Sequence, residues 1–165
     1  MNIIISFFKK QSAEEADNTR KMLKIVPEDK YDWKPHPKSM SVRQLATHIA
    51  ELPGWIPMAI NTDILDFSAG DYKPTPIANN NDLLSVFEEN QSRAIEALSQ
   101  TTDDFLQNIW TMKNGDQIYL SITKEDVIRM AISQTIHHRA QLGVFLRLLN
   151  IPIPGSYGPS ADETF

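Results

Sequence analysis

The sequence predicts an all-α fold: four helices, with a small β-hairpin inserted before the last of them. Three observations carry this expectation. Prolines, glycines and asparagines divide the 165 residues into four stretches long enough for helices. Neither an internal repeat nor a low-complexity tract interrupts them. Finally, one Asn-Gly pair stands between two short runs rich in aromatic and β-branched residues, the pattern of a tight hairpin.

The elements follow in order. The opening "MNIIISFFKK" is apolar and then basic, the reverse of a signal peptide and too short to span a bilayer, so it reads as the lead into a first helix from about Phe8 to Ile25. That helix stops before "VPEDKYDWKPHPKSM", whose three prolines forbid regular helix. Ser41 starts the second, with Gln44 placed to reach back in a capping box, and the pattern continues through "VRQLATHIAELPGW". Pro53 and Pro57 are positioned to kink its far end. The loop "FSAGDYKPTPIANN" is long enough for a crossover and leads to a third helix from about Asp82 to Ser99. "NIWTMKNGDQIYLSIT" then supplies the hairpin, and Thr123 caps the last and longest helix, which ends at Asn150 ahead of a proline-rich tail.

Composition narrows the function classes. A chain of this length with 41% hydrophobic residues is the size of one globular domain with a real core. The net charge of -5, with no run of basic residues, argues against a nucleic-acid binder, because phosphate contacts need a concentrated Lys/Arg surface. Without a single cysteine the chain holds no disulfide, thiolate ligand or thiol nucleophile, which suits a cytoplasmic protein. Patterns of the GxSxG, P-loop and dinucleotide-binding kinds are missing, so serine hydrolase, NTPase and Rossmann readings have no support.

The candidate chemistry lies in "SQTIHHRAQL", residues 133–142. At about 100° per residue, Val127, Ala131, Leu142, Phe145, Leu148 and Leu149 share one apolar arc, which is expected to face the core. Gln134, His138 and Gln141 fall inside that arc, whereas His137 lies roughly 80° from its centre, near the polar boundary. Gln134 and His138 stand one turn apart, the i, i+4 spacing by which a helix presents two ligands to one metal. A third ligand must come from another helix, and His48, beside the stripe of Val42, Leu45, Ile49 and Leu52 and on the side of Trp55, is the histidine placed to supply it. Imidazoles suit zinc, nickel, copper or iron. The same placement equally suits core histidines bonded to a carbonyl or carboxylate.

Two segments resemble a known family. "YDWKPHPKSMSVRQLATHIAELPGW" is similar to the Trp-Lys-Pro, Lys-Ser and Leu-Ala-x-His segment of the DinB (DinB/YfiT-like) family, and "HHRAQLGVFLRLLNIPIPGSYGPSADE" to its C-terminal signature. The resemblance implies an antiparallel four-helix bundle with a long crossover between the second and third helices, a homodimer, and a divalent metal, zinc or nickel, held by three histidines. Two of those positions match His48 and His138. The third carries Gln134, whose amide oxygen is a neutral and usually weaker ligand, so the site is expected to bind metal less tightly, prefer another ion or stand empty. His137 matches a position that often is histidine in the family without being the principal ligand. Relatives in the wider superfamily are thiol-dependent transferases or isomerases, and the absent cysteines fit a nucleophile that arrives with a small-thiol cosubstrate.

The remaining polar residues have plainer readings beside functional ones. Asn90, Glu15 and Thr19 are candidates to line a pocket, or to bond a neighbouring helix. Gln141 is a candidate partner of His138. Arg139 and Arg147 are expected at the surface, at a dimer contact or against the tail, where "SADE" offers carboxylates. His36, between two prolines, is expected in a loop, and Trp33 and Trp55 in the core or a pocket wall. Two functions stay open: a metal-dependent thiol S-transferase or hydrolase acting on a small molecule without membrane or nucleic acid, and a non-catalytic, stress-associated bundle with a metal-free His/Gln network.

Overall fold

A computed structural model describes residues 2–70 and 73–163. Its helices are α1 (Ile3–Lys24), α2 (Val42–Glu51), α3 (Trp55–Asn61), α4 (Asn80–Ser99) and α5 (Lys124–Leu148). Helices α2 and α3 are one bundle helix broken by a tight turn at Leu52–Gly54, where Pro53 removes a backbone donor. Pro57 is tolerated because it falls in the first turn of α3, whose amides have no intrahelical acceptor.

The first helix begins five residues earlier than its amphipathic pattern suggests. Its free amides at Ile4 and Ile5 donate to the Asp103 carboxylate at 3.1 and 3.0 Å, a cap from 99 and 98 residues away that no local motif announces. The other starts are locally encoded. Ser41 and Gln44 close the expected capping box, Asn79 accepts from Asp82 N at 2.9 Å, and Thr123 accepts from Asp126 N at 3.1 Å.

Contacts fix the helix directions. Lys9 bonds Ser99 while Arg20 bonds Glu88, so α1 runs against α4. His48 meets His138 and Ala59 meets Lys124, so α2–α3 runs against α5. Asn90 bonds Ala50 O, and Ile60 packs with Ala97 seven residues further on, so α2–α3 and α4 point the same way. Parallel neighbours need a long connection, which residues 62–79 provide.

That connection also holds a strand the sequence reading missed. β1 (Ile64–Asp66) pairs in parallel with β2 (Ile109–Asn114), which pairs antiparallel with β3 (Gln117–Thr123), so the expected hairpin is part of a three-stranded sheet. Its two-residue loop is Gly115–Asp116, one position past the Asn-Gly pair, and Gly115 takes φ 58°, which costs glycine nothing. Trp110 is wholly buried under this sheet with Ala59 and Val127, its Nε1 donating to Thr62 Oγ1 at 3.2 Å. Lys124 is also fully buried, and its ammonium donates to Ala59 O at 2.9 Å, to Thr62 O at 2.5 Å and to Asp63 at 2.8 Å. It thereby neutralises the carbonyl end of α3.

The buried arc of α5 is not the one the apolar residues suggest. Val127, Ile128, Ala131, Ile132, Thr135, Arg139, Leu142, Gly143 and Leu146 are buried, while Leu148 is exposed. The true core face lies roughly a quarter turn round from the predicted arc. Small and polar residues are admitted because Thr135 returns its hydroxyl proton to Ala131 O of the same helix, α1 supplies the polar partners of Arg139, and the Met22 methyl packs on Gly143. Arg139, expected at the surface, at a dimer contact or against the tail, does meet the tail but is buried, 2% exposed; it pairs with Glu15 at 2.7 Å and donates to Thr19 Oγ1 at 3.1 Å. Tyr157 from the tail covers the pair, its hydroxyl donating to Glu15 at 2.8 Å and accepting from Arg139 at 2.8 Å. Arg147 meets the tail as expected, bonding Asp162.

Candidate functional site

His48 sits one turn before the end of α2, half-buried, and His138 lies opposite it on the antiparallel α5. Their rings meet edge to face with centroids 4.6 Å apart. Burial pushes His48 below the ordinary imidazole value, the neighbouring His138 adds to the shift, and Glu51 opposes it. A neutral imidazole in such a place has a lone pair to offer.

His138 is oriented by its own helix. Its Nδ1 stands 2.8 Å from Gln141 Oε1, so a proton on Nδ1 is donated to that amide and Nε2 is left with its lone pair. His137 lies on the exposed side, its ring 4.9 Å from that of His138. Gln134 and Gln141 are exposed, against the expectation from the wheel that they face the core; the same quarter turn that buries Arg139 carries them outward.

The other candidates separate from the pair. Asn90 is half-buried and donates to Ala50 O at 3.2 Å, tying α4 to the end of α2, its hydrogen-bonding reading rather than its pocket one. Trp55 stacks edge to face on Trp110 at 6.3 Å, and Trp33 does so on Phe145 at 5.8 Å. Glu15 and Thr19 do face inward, but their partner is Arg139. His36 is exposed in its loop.

A groove of about 540 Å³ opens beside His48, between α2, residues 38–40 ahead of it, and residues 74–77 of the crossover. Glu51 lines it, but its carboxylate is held by the amide and hydroxyl of Thr75, both at 2.8 Å. Sequence reasoning missed this wall, because Glu51 and Thr75 are brought together only by the crossover.

Two imidazoles from facing helices, one with its tautomer fixed, fit a borderline divalent cation, for which neutral nitrogen ligands are natural. The third place is less well filled. Among the described residues no group of three or more His, Cys, Asp or Glu stands ready to hold a metal.

Comparison with known proteins finds relatives along most of the chain. The family model of the DinB family matches residues 7–164. YrdA of Bacillus subtilis (strain 168) is 24% identical over 160 residues, 96% of this chain and 91% of that protein. The crystal structure of a DinB-like protein from Bacillus cereus superposes with a TM-score of 0.70 at 20% identity, covering 91% of this chain and 95% of that one. YfiT from Bacillus subtilis, described as a probable metal-dependent hydrolase with an unusual four-helix bundle topology, gives 0.65 at 15% identity, with 90% and 89% covered. A mycothiol-dependent maleylpyruvate isomerase shares the fold over 84% of this chain and 60% of its own, with a TM-score of 0.58 at 12% identity.

Proposed function

The chain belongs to the DinB family, and from that premise we propose that it holds a divalent cation, zinc or nickel, between α2 and α5 and acts on a small molecule as a thiol S-transferase or hydrolase. One observation carries the reading: His48 and His138 face each other from different helices at 4.6 Å, beside an open groove. His48 and the Nε2 of His138 would be the imidazole ligands, and Gln134, one turn before His138, the weaker third. Such an ion polarises a bound group or lowers the pKa of a thiol or water towards neutrality.

The chain's own residues have separable parts in this. Gln141 orients His138 and fixes its tautomer. Thr75 holds Glu51 so that one wall of the groove keeps its shape. A chain without cysteine leaves the thiol to the cosubstrate, and the fold shared with a thiol-dependent isomerase supports that division of labour.

Elemental analysis of protein purified without a His tag, before and after equilibration with zinc or nickel, tests the proposal. Wild type is expected to hold up to one ion per chain, and His48→Ala and His138→Ala to lose it. Unchanged metal content in the two variants means the ligands are wrong. A wild type that takes up no ion leaves the metal-free bundle as the correct description.

A further inference from the structure

The groove beside His48 carries a charge distribution unlike that of the whole molecule. Although the chain's net charge is -5, Lys38 and Arg43 line the groove, and among the described residues Glu51 is its one lining carboxylate. That carboxylate is already engaged by Thr75. Arg43 is held in place yet underused. Its guanidinium stacks 4.9 Å above the Tyr31 ring, one terminal nitrogen donates to Ile77 O at 3.2 Å, and the other reaches Asp32 only at 3.5 Å. Asp32 is almost fully exposed, so this contact is a weak competitor. The Nε–H of Arg43 is buried and has no acceptor among the described residues. Met40, Pro74, Pro76 and Ile77 supply apolar surface along the same groove.

We propose that the groove binds a small organic acid, its carboxylate received by Lys38 and Arg43, its carbon chain lying on Met40, Pro76 and Ile77, and its reacting end at His48. A planar guanidinium presents paired donors to a carboxylate, and a stacked one loses little freedom on binding. From Arg43 to His48 the helix rises about 7.5 Å, which sets the span to be bridged at roughly four to six carbon atoms. For its reacting end the inference rests on the metal-dependent reading above; for its anionic end it does not.

Calorimetric titration of tag-free protein with hexanoate, hexylamine and hexanol, each with and without zinc, tests it. Hexanoate is expected to bind at millimolar concentrations or below, with hexylamine and hexanol at least tenfold weaker. Arg43→Gln and Lys38→Gln are each expected to weaken hexanoate about tenfold and to leave zinc content as in wild type, and Arg43→Lys to recover part of the loss. Lys38 is exposed, and its one bond among the described residues is from its backbone amide to His36 Nδ1, which the variant keeps, so the test stays valid should Arg43→Gln disturb Ile77. Equal binding of acid and amine, or hexanoate binding indifferent to both substitutions, overturns the proposal, as does no binding of hexanoate. Zinc held by the two histidines without hexanoate binding overturns this inference alone. Charge-dependent hexanoate binding by a protein that takes up no zinc overturns the metal reading and leaves the acid groove standing.

Discussion

Replacing Arg139 by methionine is expected to destabilise the fold severely. Its side chain is 3% exposed and that of its partner Glu15 is 9% exposed, so neither charge has water to fall back on. Methionine keeps most of the aliphatic stem but, among the described residues, leaves the Glu15 carboxylate with only the Tyr157 hydroxyl as a donor. Removing one partner of a buried pair costs about 3 to 5 kcal/mol. For a domain of this size that is a fall in Tm of roughly 10 °C, and a drop in urea midpoint of about 2 M at unchanged slope. Removing both charges is cheaper than removing one, so Glu15→Gln with Arg139→Met is expected to recover at least half of the loss. Urea unfolding followed by circular dichroism, with the four-member double-mutant cycle, reads this out. A cost below about 1 kcal/mol for Arg139→Met, or a double variant as unstable as the sum of the singles, refutes the account of the pair as buried and mutually compensating.

Other outcomes follow from the same geometry. Lys124→Met leaves the Ala59 and Thr62 carbonyls without their cation and is expected to cost about 3 kcal/mol in urea unfolding, with a neutral result showing that water replaces the ammonium freely. A Cβ at Gly54 would lie 2.9 Å from Asn90 Oδ1, so Gly54→Ala should turn that amide away from Ala50 O and cost about 1 kcal/mol, but cost little when Asn90 is already alanine. Burial, and then its bond to Glu15, raises the Tyr157 pKa above the usual phenol value. The folded state therefore holds this proton longer than the unfolded chain; the contribution is full below about pH 10 and is lost as pH rises through the folded value. Stability measured from pH 9 upwards should fall less steeply in Tyr157→Phe than in wild type, and identical slopes would show that Tyr157 is not the group responsible.

Most of the fold was legible because it is locally encoded. Ser41 with Gln44, Asn79 and Thr123 each announce a helix start within three residues, and the hairpin runs alternate as strands do. What escaped is non-local. Asp103 caps α1 from almost a hundred residues away in sequence, and β1 is a three-residue strand that exists only because β2 lies beside it. The face of α5 was misjudged for a related reason: Leu148 is left exposed while Arg139 is buried, since hydrophobicity along one helix cannot reveal a carboxylate waiting on another. His48 and His138 were nameable from sequence, and the structure brings them together. Lys38, Arg43 and the wall made by Glu51 with Thr75 were not, because a groove between a helix and a crossover has no periodicity of its own.

The Tyr157 clasp on Glu15 spans 142 positions of the chain. During synthesis, a ribosome that has finished α1 has set down a carboxylate whose cation is made 124 residues later and whose phenolic cover follows 18 residues after that. The N-terminal helix therefore cannot settle into its final environment as it emerges; it must wait, its inward face solvated, until the opposite end of the molecule arrives to close over it.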